Sequence, residues 1–106
     1  MHRSYTSRVR DLRFEWDEAK NAANQRKHGV SFEEARSVFF DERALLIEDP
    51  DEVSAEDRFV LLGMSDAVRM LLVCHCYRER EVVIRIISAR KASRAERADY
   101  ERRWRR

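Results

Sequence analysis

Hydrophobic positions along the chain change period twice. Between residues 14 and 40 they recur at helical spacing, from 44 to 89 they alternate or run together as in strands, and after Ser93 a sparse helical stripe returns. Phe14-Glu15-Trp16 reads as a short opening strand. Asp17 is placed as an N-cap, Ala19, Ala22 and Ala23 form a small apolar helical face, and Lys27-His28 put cations in the last turn before Gly29, the αL terminator. Ser31-Phe32-Glu33-Glu34 is a capping box, and Phe32, Ala35 and Phe39 share one face of a second helix ending near Phe40. Strands follow at 44–48, 58–64, 69–77 and 82–89. Their connections are an Asp49-Pro50-Asp51 turn with an acidic loop to Asp57, a turn over 63–66, and a tight turn over 78–81. Short connections between consecutive strands predict an antiparallel meander. Ser93-Arg94-Ala95-Glu96 is a second capping box, opening a helix whose apolar stripe is only Ala95, Ala98, Tyr100 and Trp104.

Residues 1–13 are polar, basic and aperiodic, and read as a flexible extension with no fold of its own. Residues 14–106 then form a single domain of the α+β class: a small antiparallel sheet of about four strands, a possible short N-terminal strand, two N-terminal helices and one C-terminal helix. A chain of 106 residues buries roughly 65% of its unfolded surface and folds without staples.

Charge changes the picture. Charged residues make up 40% of the chain at a net charge of only +2, but their distribution is uneven. Residues 14–57 hold five basic and thirteen acidic side chains, a net −8, whereas 90–106 hold eight basic and three acidic, a net +5. A basic end and an acidic middle suggest separate surfaces for polyanions and for basic partners. The two cysteines, Cys74 and Cys76, sit two apart in one strand, a poor geometry for a mutual disulfide, and read as free thiols in a reducing cytoplasm. No apolar run approaches the length of a membrane span.

The β-branched run Val82-Val83-Ile84-Arg85-Ile86-Ile87 is the expected central strand, and an arginine inside it needs a reason. Either its head snorkels to the edge while its stem packs, or it serves an open sheet face. The register that best segregates polar from apolar positions sets Arg78 opposite Val82, which places His75 opposite Arg85 on a face with Tyr77 and Ile87. Cys74, Cys76, Ile84, Ile86 and Ser88 then form the apolar face. Arg90 closes the strand beside Lys91 and Arg94, where a guanidinium and a helix N-terminus both suit phosphate. Cys74-His75-Cys76 alternates across the sheet, so its side chains diverge and no tetrahedral metal site is spaced in the sequence. With only Gly29 and Gly63 there is no phosphate-binding loop, and no nucleophile elbow is present.

Three blocks carry a resemblance: Phe14-Glu15-Trp16-Asp17 with Lys20; Asn24 followed by Lys27-His28-Gly29-Val30-Ser31-Phe32-Glu33-Glu34-Ala35; and Ile84-Arg85-Ile86-Ile87-Ser88-Ala89-Arg90-Lys91-Ala92 with Glu96 and Tyr100. Together they resemble the BrnT family of bacterial type II toxins over about residues 14–101. The resemblance implies a RelE-like ribonuclease fold and translation arrest by metal-independent RNA cleavage, with no cofactor. It also implies a ribbon-helix-helix antitoxin, contact with operator DNA only through the antitoxin complex, and a possible homodimer within that complex. On that premise Arg85 and Arg90 are the expected phosphate-stabilising cations, and His75 or His28 the acid–base group. Lys27, Lys91 and Arg94 would track the RNA backbone, and Tyr77 would stack on a base.

Structural readings stand beside these. Lys27-His28 equally complements a helix C-terminus, Glu96 reads as a cap, and Tyr100 and Trp104 read as packing residues. Asn24 has no packing role in an alanine-rich helix and is left between a bond to the adjoining loop and one to substrate. The alternative function is a non-catalytic partner that binds the antitoxin and acts only in the autoregulatory DNA complex. A free-standing DNA-binding regulator is disfavoured, since no recognition helix is evident.

Overall fold

The computed structural model describes residues 4–9, 12–48, 58–78 and 83–104. They form strands β1 (Ser4–Val9) and β2 (Leu12–Asp17), helices α1 (Glu18–His28) and α2 (Phe32–Ser37), then strands β3 (Leu45–Glu48), β4 (Phe59–Met64), β5 (Met70–Arg78) and β6 (Val83–Lys91), and helix α3 (Arg94–Trp104). A single 3₁₀ turn, Val38–Phe40, extends α2. The expected turns at 49–51 and 79–81 and the acidic loop lie outside the described residues.

All six strands form one sheet in the order β1-β2-β6-β5-β4-β3. The meander β3-β4-β5-β6 is antiparallel as expected. The opening strand is longer than expected and lies inside the sheet, parallel to β6. Much of the basic segment read as an unfolded extension is strand β1, antiparallel to β2 from Ser4 opposite Asp17 to Val9 opposite Leu12. A short polar edge strand has no hydrophobic period to announce it, because neither face is required to bury apolar groups.

Both helix starts follow local chemistry. Asp17 accepts from the amides of Ala19 and Lys20, and Gly29 ends α1 at φ +70°. Ser31 accepts from the amide of Glu34. The packing face of α1 differs from expectation: Ala19, Ala22 and Ala23 are exposed, and Asn21 and Asn24 are buried. The core lies between this helix pair and one sheet face, where Phe14, Trp16, Phe32, Leu71, Val73 and Ile86 are all but fully buried. Gly63 sits within β4 rather than in a turn. A Cβ there would stand 2.9 Å from the Ala44 Cβ and 3.0 Å from Val38 Cγ1, so its role is close approach.

The β5–β6 register corrects the sequence reading. Arg78 faces Val83, Tyr77 faces Ile84, Cys76 faces Arg85 and His75 faces Ile86, but Cys74 faces Ser88. Ile87 is thus the extra residue of a bulge, which reverses side-chain parity midway along β6. His75 and Tyr77 therefore join Ile84 and Ile86 on the core side. Arg85 shares the other face with Cys74 and Cys76. The expected grouping of His75 with Arg85 does not occur.

Helix α3 buries no residue. Polar tethers hold it: Tyr100 donates to Asp41 Oδ2 at 2.7 Å, and Trp104 Nε1 donates to the Arg43 carbonyl at 2.7 Å. No helix among the described residues is long and apolar enough to cross a membrane.

Candidate functional site: the C-terminal end of the central strand

Strand β6 runs between β2 and β5, yet β2 pairs with it only from Val83 to Arg85 before turning into α1. Further along, Ala89 lacks a strand on that side, and the Asn24 side chain takes its place. Asn24 Nδ2 donates to the carbonyls of Ala89 and Val30, both at 2.8 Å, and Oδ1 accepts from the Ala89 amide at 3.2 Å. The open question over Asn24 is thereby settled in favour of the adjoining loop and β6. This bridge ties α1 to β6; in the last turn of that helix Lys27 is exposed and His28 half-buried.

Arg69 joins the same end of the sheet. It pairs with Glu34 through two nitrogens and donates to the Gly29 carbonyl at 3.1 Å, tying the α1–α2 junction to the start of β5. Ser65 donates to Glu34 at 2.6 Å. Contact with Arg69, outweighing the opposing effect of burial, holds the Glu34 carboxyl below its ordinary range, and Lys91 contributes attraction. Leu71 of β5 faces Lys91.

Arg90 and Glu96 form a two-pronged pair, each guanidinium nitrogen 2.9 Å from a different carboxylate oxygen. Glu96 also accepts from the Ser93 amide at 2.8 Å while its own amide donates to Ser93 Oγ at 3.1 Å, completing the expected capping box. One carboxylate therefore starts α3 and aims the last arginine of β6. The Arg90 guanidinium pulls the Glu96 carboxyl down to about 2, against burial and with help from Ser93. The Arg90 side chain remains 42% exposed. Lys91 and Arg94 beside it are exposed, so this end of the molecule has more positive than negative charge facing solvent.

Arg85 is a separate station. Its guanidinium meets Glu15 of β2 at 2.8 Å, and Glu15 also lies 3.7 Å from Arg78. Arg85 and Arg90 lie five positions apart along β6, about 15 Å. Each is held by its own carboxylate, Glu15 for Arg85 and Glu96 for Arg90.

His75 is corrected from an acid–base candidate to a core residue. It is 0% exposed and packs edge-on against Phe39 and Tyr77. Its Nδ1 lies 3.2 Å from the Val73 carbonyl, an acceptor only, so Nδ1 carries the proton. Nε2 is then the acceptor for the Tyr77 hydroxyl at 3.2 Å. Burial depresses the His75 pKa to about 4 despite the Val73 bond. Tyr77 is correspondingly committed to this aromatic cluster, with Phe59 edge-on at 5.3 Å, and is not presented as a stacking platform.

A pH dependence follows from that burial. The unfolded histidine binds its proton near the ordinary value of 6.5 and the folded one only near 4. Between those values the unfolded state holds more protons, so stability falls as pH drops through this window, by about 3 kcal/mol in all. Chemical-denaturation curves between pH 7 and 4.5 are expected to show this loss, and His75→Gln, with no titrating ring, is expected to lose the slope. The depressed carboxyls of Glu34 and Glu96 add their own loss only below about 4.5, where they begin to protonate in the unfolded chain.

Residues 16–96 match the family model described as the ribonuclease toxin BrnT of type II toxin–antitoxin systems. The fold is similar to the crystal structure of the Brucella abortus ribonuclease toxin BrnT, at 23% identity and a TM-score of 0.56, covering 74% of this chain and 94% of that one. No curated protein matches the chain.

Proposed function

The chain belongs to the BrnT family of ribonuclease toxins of type II toxin–antitoxin systems, and on that premise we propose that it is a metal-independent endoribonuclease working at the C-terminal end of β6. The ribose 2′-hydroxyl attacks the adjacent phosphorus. The bond to the 5′ oxygen breaks, leaving a 2′,3′-cyclic phosphate on one fragment and a 5′-hydroxyl on the other. The attacking oxygen loses a proton and the leaving oxygen gains one, while charge accumulates on the non-bridging phosphate oxygens.

The observation that carries this reading is Arg90: partly exposed, held by Glu96, and followed in the chain by the exposed Lys91 and Arg94. A guanidinium pre-aimed in this way meets developing phosphorane charge without first being ordered. His28, half-buried at the end of α1, takes the acid–base role that the buried His75 does not. Lys27, Lys91 and Arg94 follow the RNA backbone, and Arg85 holds a more distant phosphate. The cognate antitoxin is a ribbon-helix-helix protein that blocks cleavage and carries the complex to operator DNA. Cleavage then accounts for translation arrest.

Purified protein incubated with total RNA, with and without EDTA, tests the reaction. Cleavage that persists under chelation and leaves 5′-hydroxyl ends is expected. Cleavage abolished by EDTA overturns metal independence, and intact RNA in both arms overturns the nuclease itself.

A further inference from the structure

Helix α3 turns two side chains toward the body of the protein. Glu96 and Tyr100 are half-buried, and every other residue of the helix is exposed, Ala95 and Ala98 of the expected apolar stripe included. The two are four residues apart, one turn along the same side of the helix. An 11-residue helix that buries no residue has little to hold it in water except such contacts. Glu96 grips Arg90, and Tyr100 donates to Asp41 Oδ2 at 2.7 Å. Asp41 is a fixed anchor: the same oxygen accepts from the Met64 amide at 2.8 Å, and Oδ1 accepts from the Arg43 amide at 3.0 Å. A Cβ on Gly63 would stand 3.0 Å from that Oδ2, so the glycine leaves room for the carboxylate. Burial raises the Asp41 pKa, but the bonds from Met64, Arg43 and Tyr100 outweigh it and leave the carboxyl below its ordinary range. Burial and the Asp41 bond push the Tyr100 hydroxyl up to about 12. At neutral pH a protonated phenol therefore meets an ionised carboxylate, a charge-assisted bond.

From this chain of contacts we infer that Tyr100 is a positioning residue for RNA cleavage, acting through Glu96 on Arg90. Asp41 fixes the Tyr100 hydroxyl, Tyr100 fixes the middle of α3, and the first turn of α3 then presents Glu96 to the Arg90 guanidinium. The Ser93 cap orients Glu96 within its own turn, but a bond from outside the helix is needed to set where that turn sits against β6. Trp104 supplies one such bond at the far end of α3, to the Arg43 carbonyl, and Tyr100 is the anchor nearer to Glu96. The hydroxyl of Tyr100, rather than the packing of its ring, is then the part that cleavage depends on. The inference rests on the reading of Arg90 as the cation that meets the phosphorane charge.

The test uses Tyr100→Phe in the full chain, which removes the hydroxyl and keeps the ring. Because α3 buries no residue, the variant is expected to keep the wild-type circular dichroism spectrum. Single-turnover cleavage at saturating RNA is expected to slow roughly tenfold, the cost of one hydrogen bond to a charged group, with the half-saturating RNA concentration unchanged. In a Glu96→Ala background no carboxylate remains to pass the effect on, and there Tyr100→Phe is expected to slow cleavage by less than about twofold. Side-chain nitrogen NMR of Arg90 without RNA reads the same contact directly. Its Nη protons, slowed in rotation by Glu96 in wild type, are expected to average in Tyr100→Phe. An undiminished rate, a full tenfold loss in the Glu96→Ala background, or Arg90 signals identical to wild type overturns the inference. So does a change confined to the half-saturating RNA concentration, which assigns the hydroxyl to RNA binding. Undiminished cleavage by Arg90→Ala contradicts the Arg90 reading instead, while the Nη signals report separately whether Tyr100 holds the Arg90–Glu96 pair.

Discussion

Arg90→Ala is expected to slow RNA cleavage by about 10²–10³-fold, the range seen when one pre-aimed donor to a developing oxyanion is removed. The reason is geometric. Glu96 fixes both guanidinium nitrogens at 2.9 Å, so the side chain is ordered before substrate arrives. Arg90→Lys keeps the charge but loses the two-pronged fit, and is expected to recover only part of the rate. Glu96→Gln weakens the hold on Arg90 while keeping an acceptor for the Ser93 amide, and is expected to slow cleavage less than Arg90→Ala. Arg85→Ala, removing a contact about 15 Å away, is expected to weaken RNA binding more than turnover. Single-turnover rates across an RNA concentration series separate these effects. Equal rates for wild type and a folded Arg90→Ala variant would refute the assignment.

The second large effect concerns stability. Asn24→Ala removes three hydrogen bonds in one step and leaves the Ala89 amide, the Ala89 carbonyl and the Val30 carbonyl without them. Asn24 is 7% exposed and Ala89 1%, so water does not readily replace the lost partners. At about 1–3 kcal/mol for each buried group left unsatisfied, a total loss of about 4 kcal/mol is expected. That is a large share of the 5–15 kcal/mol that holds an ordinary domain together. Asn24→Asp is expected to be no better, because a carboxylate would face two carbonyl oxygens. Urea denaturation at pH 7 gives the comparison. The same substitution unties α1 from β6.

These two residues mark the limits of what the sequence makes legible. Helix ends were legible because they are local: Asp17, Gly29 and the Ser31 and Ser93 caps act within four residues of themselves. The meander was legible because short connections leave little topological choice. The β5–β6 register was not. It depends on the Ile87 bulge, and a bulge within an unbroken aliphatic run leaves no mark in the pattern. That one residue moved His75 from the expected polar face into the core.

Asn24, an amide with no packing role in an alanine-rich helix, is the signal that the sequence does carry. Its partner lies 65 residues away, beyond any periodicity. Alanine spacing points to the wrong face of α1, since Ala19, Ala22 and Ala23 are exposed. In this helix the buried positions carry amides that bond to backbone, a use of asparagine that depends on the neighbouring strand ending early. The Arg90–Glu96 pair, six residues apart across a strand–helix junction, was likewise invisible to helical or strand spacing. The composition of β6 and α3 did announce a basic end, and the structure gathers Arg90, Lys91 and Arg94 there.

The most direct measurement is amide NMR of the free protein titrated with an oligonucleotide carrying 2′-deoxyribose at every position, which binds but lacks the attacking hydroxyl. Shifts concentrated at residues 27–29 and 89–94, weakening with added salt, are the expected result. Shifts confined to β3 and its surroundings, with the end of β6 unmoved, would contradict the account.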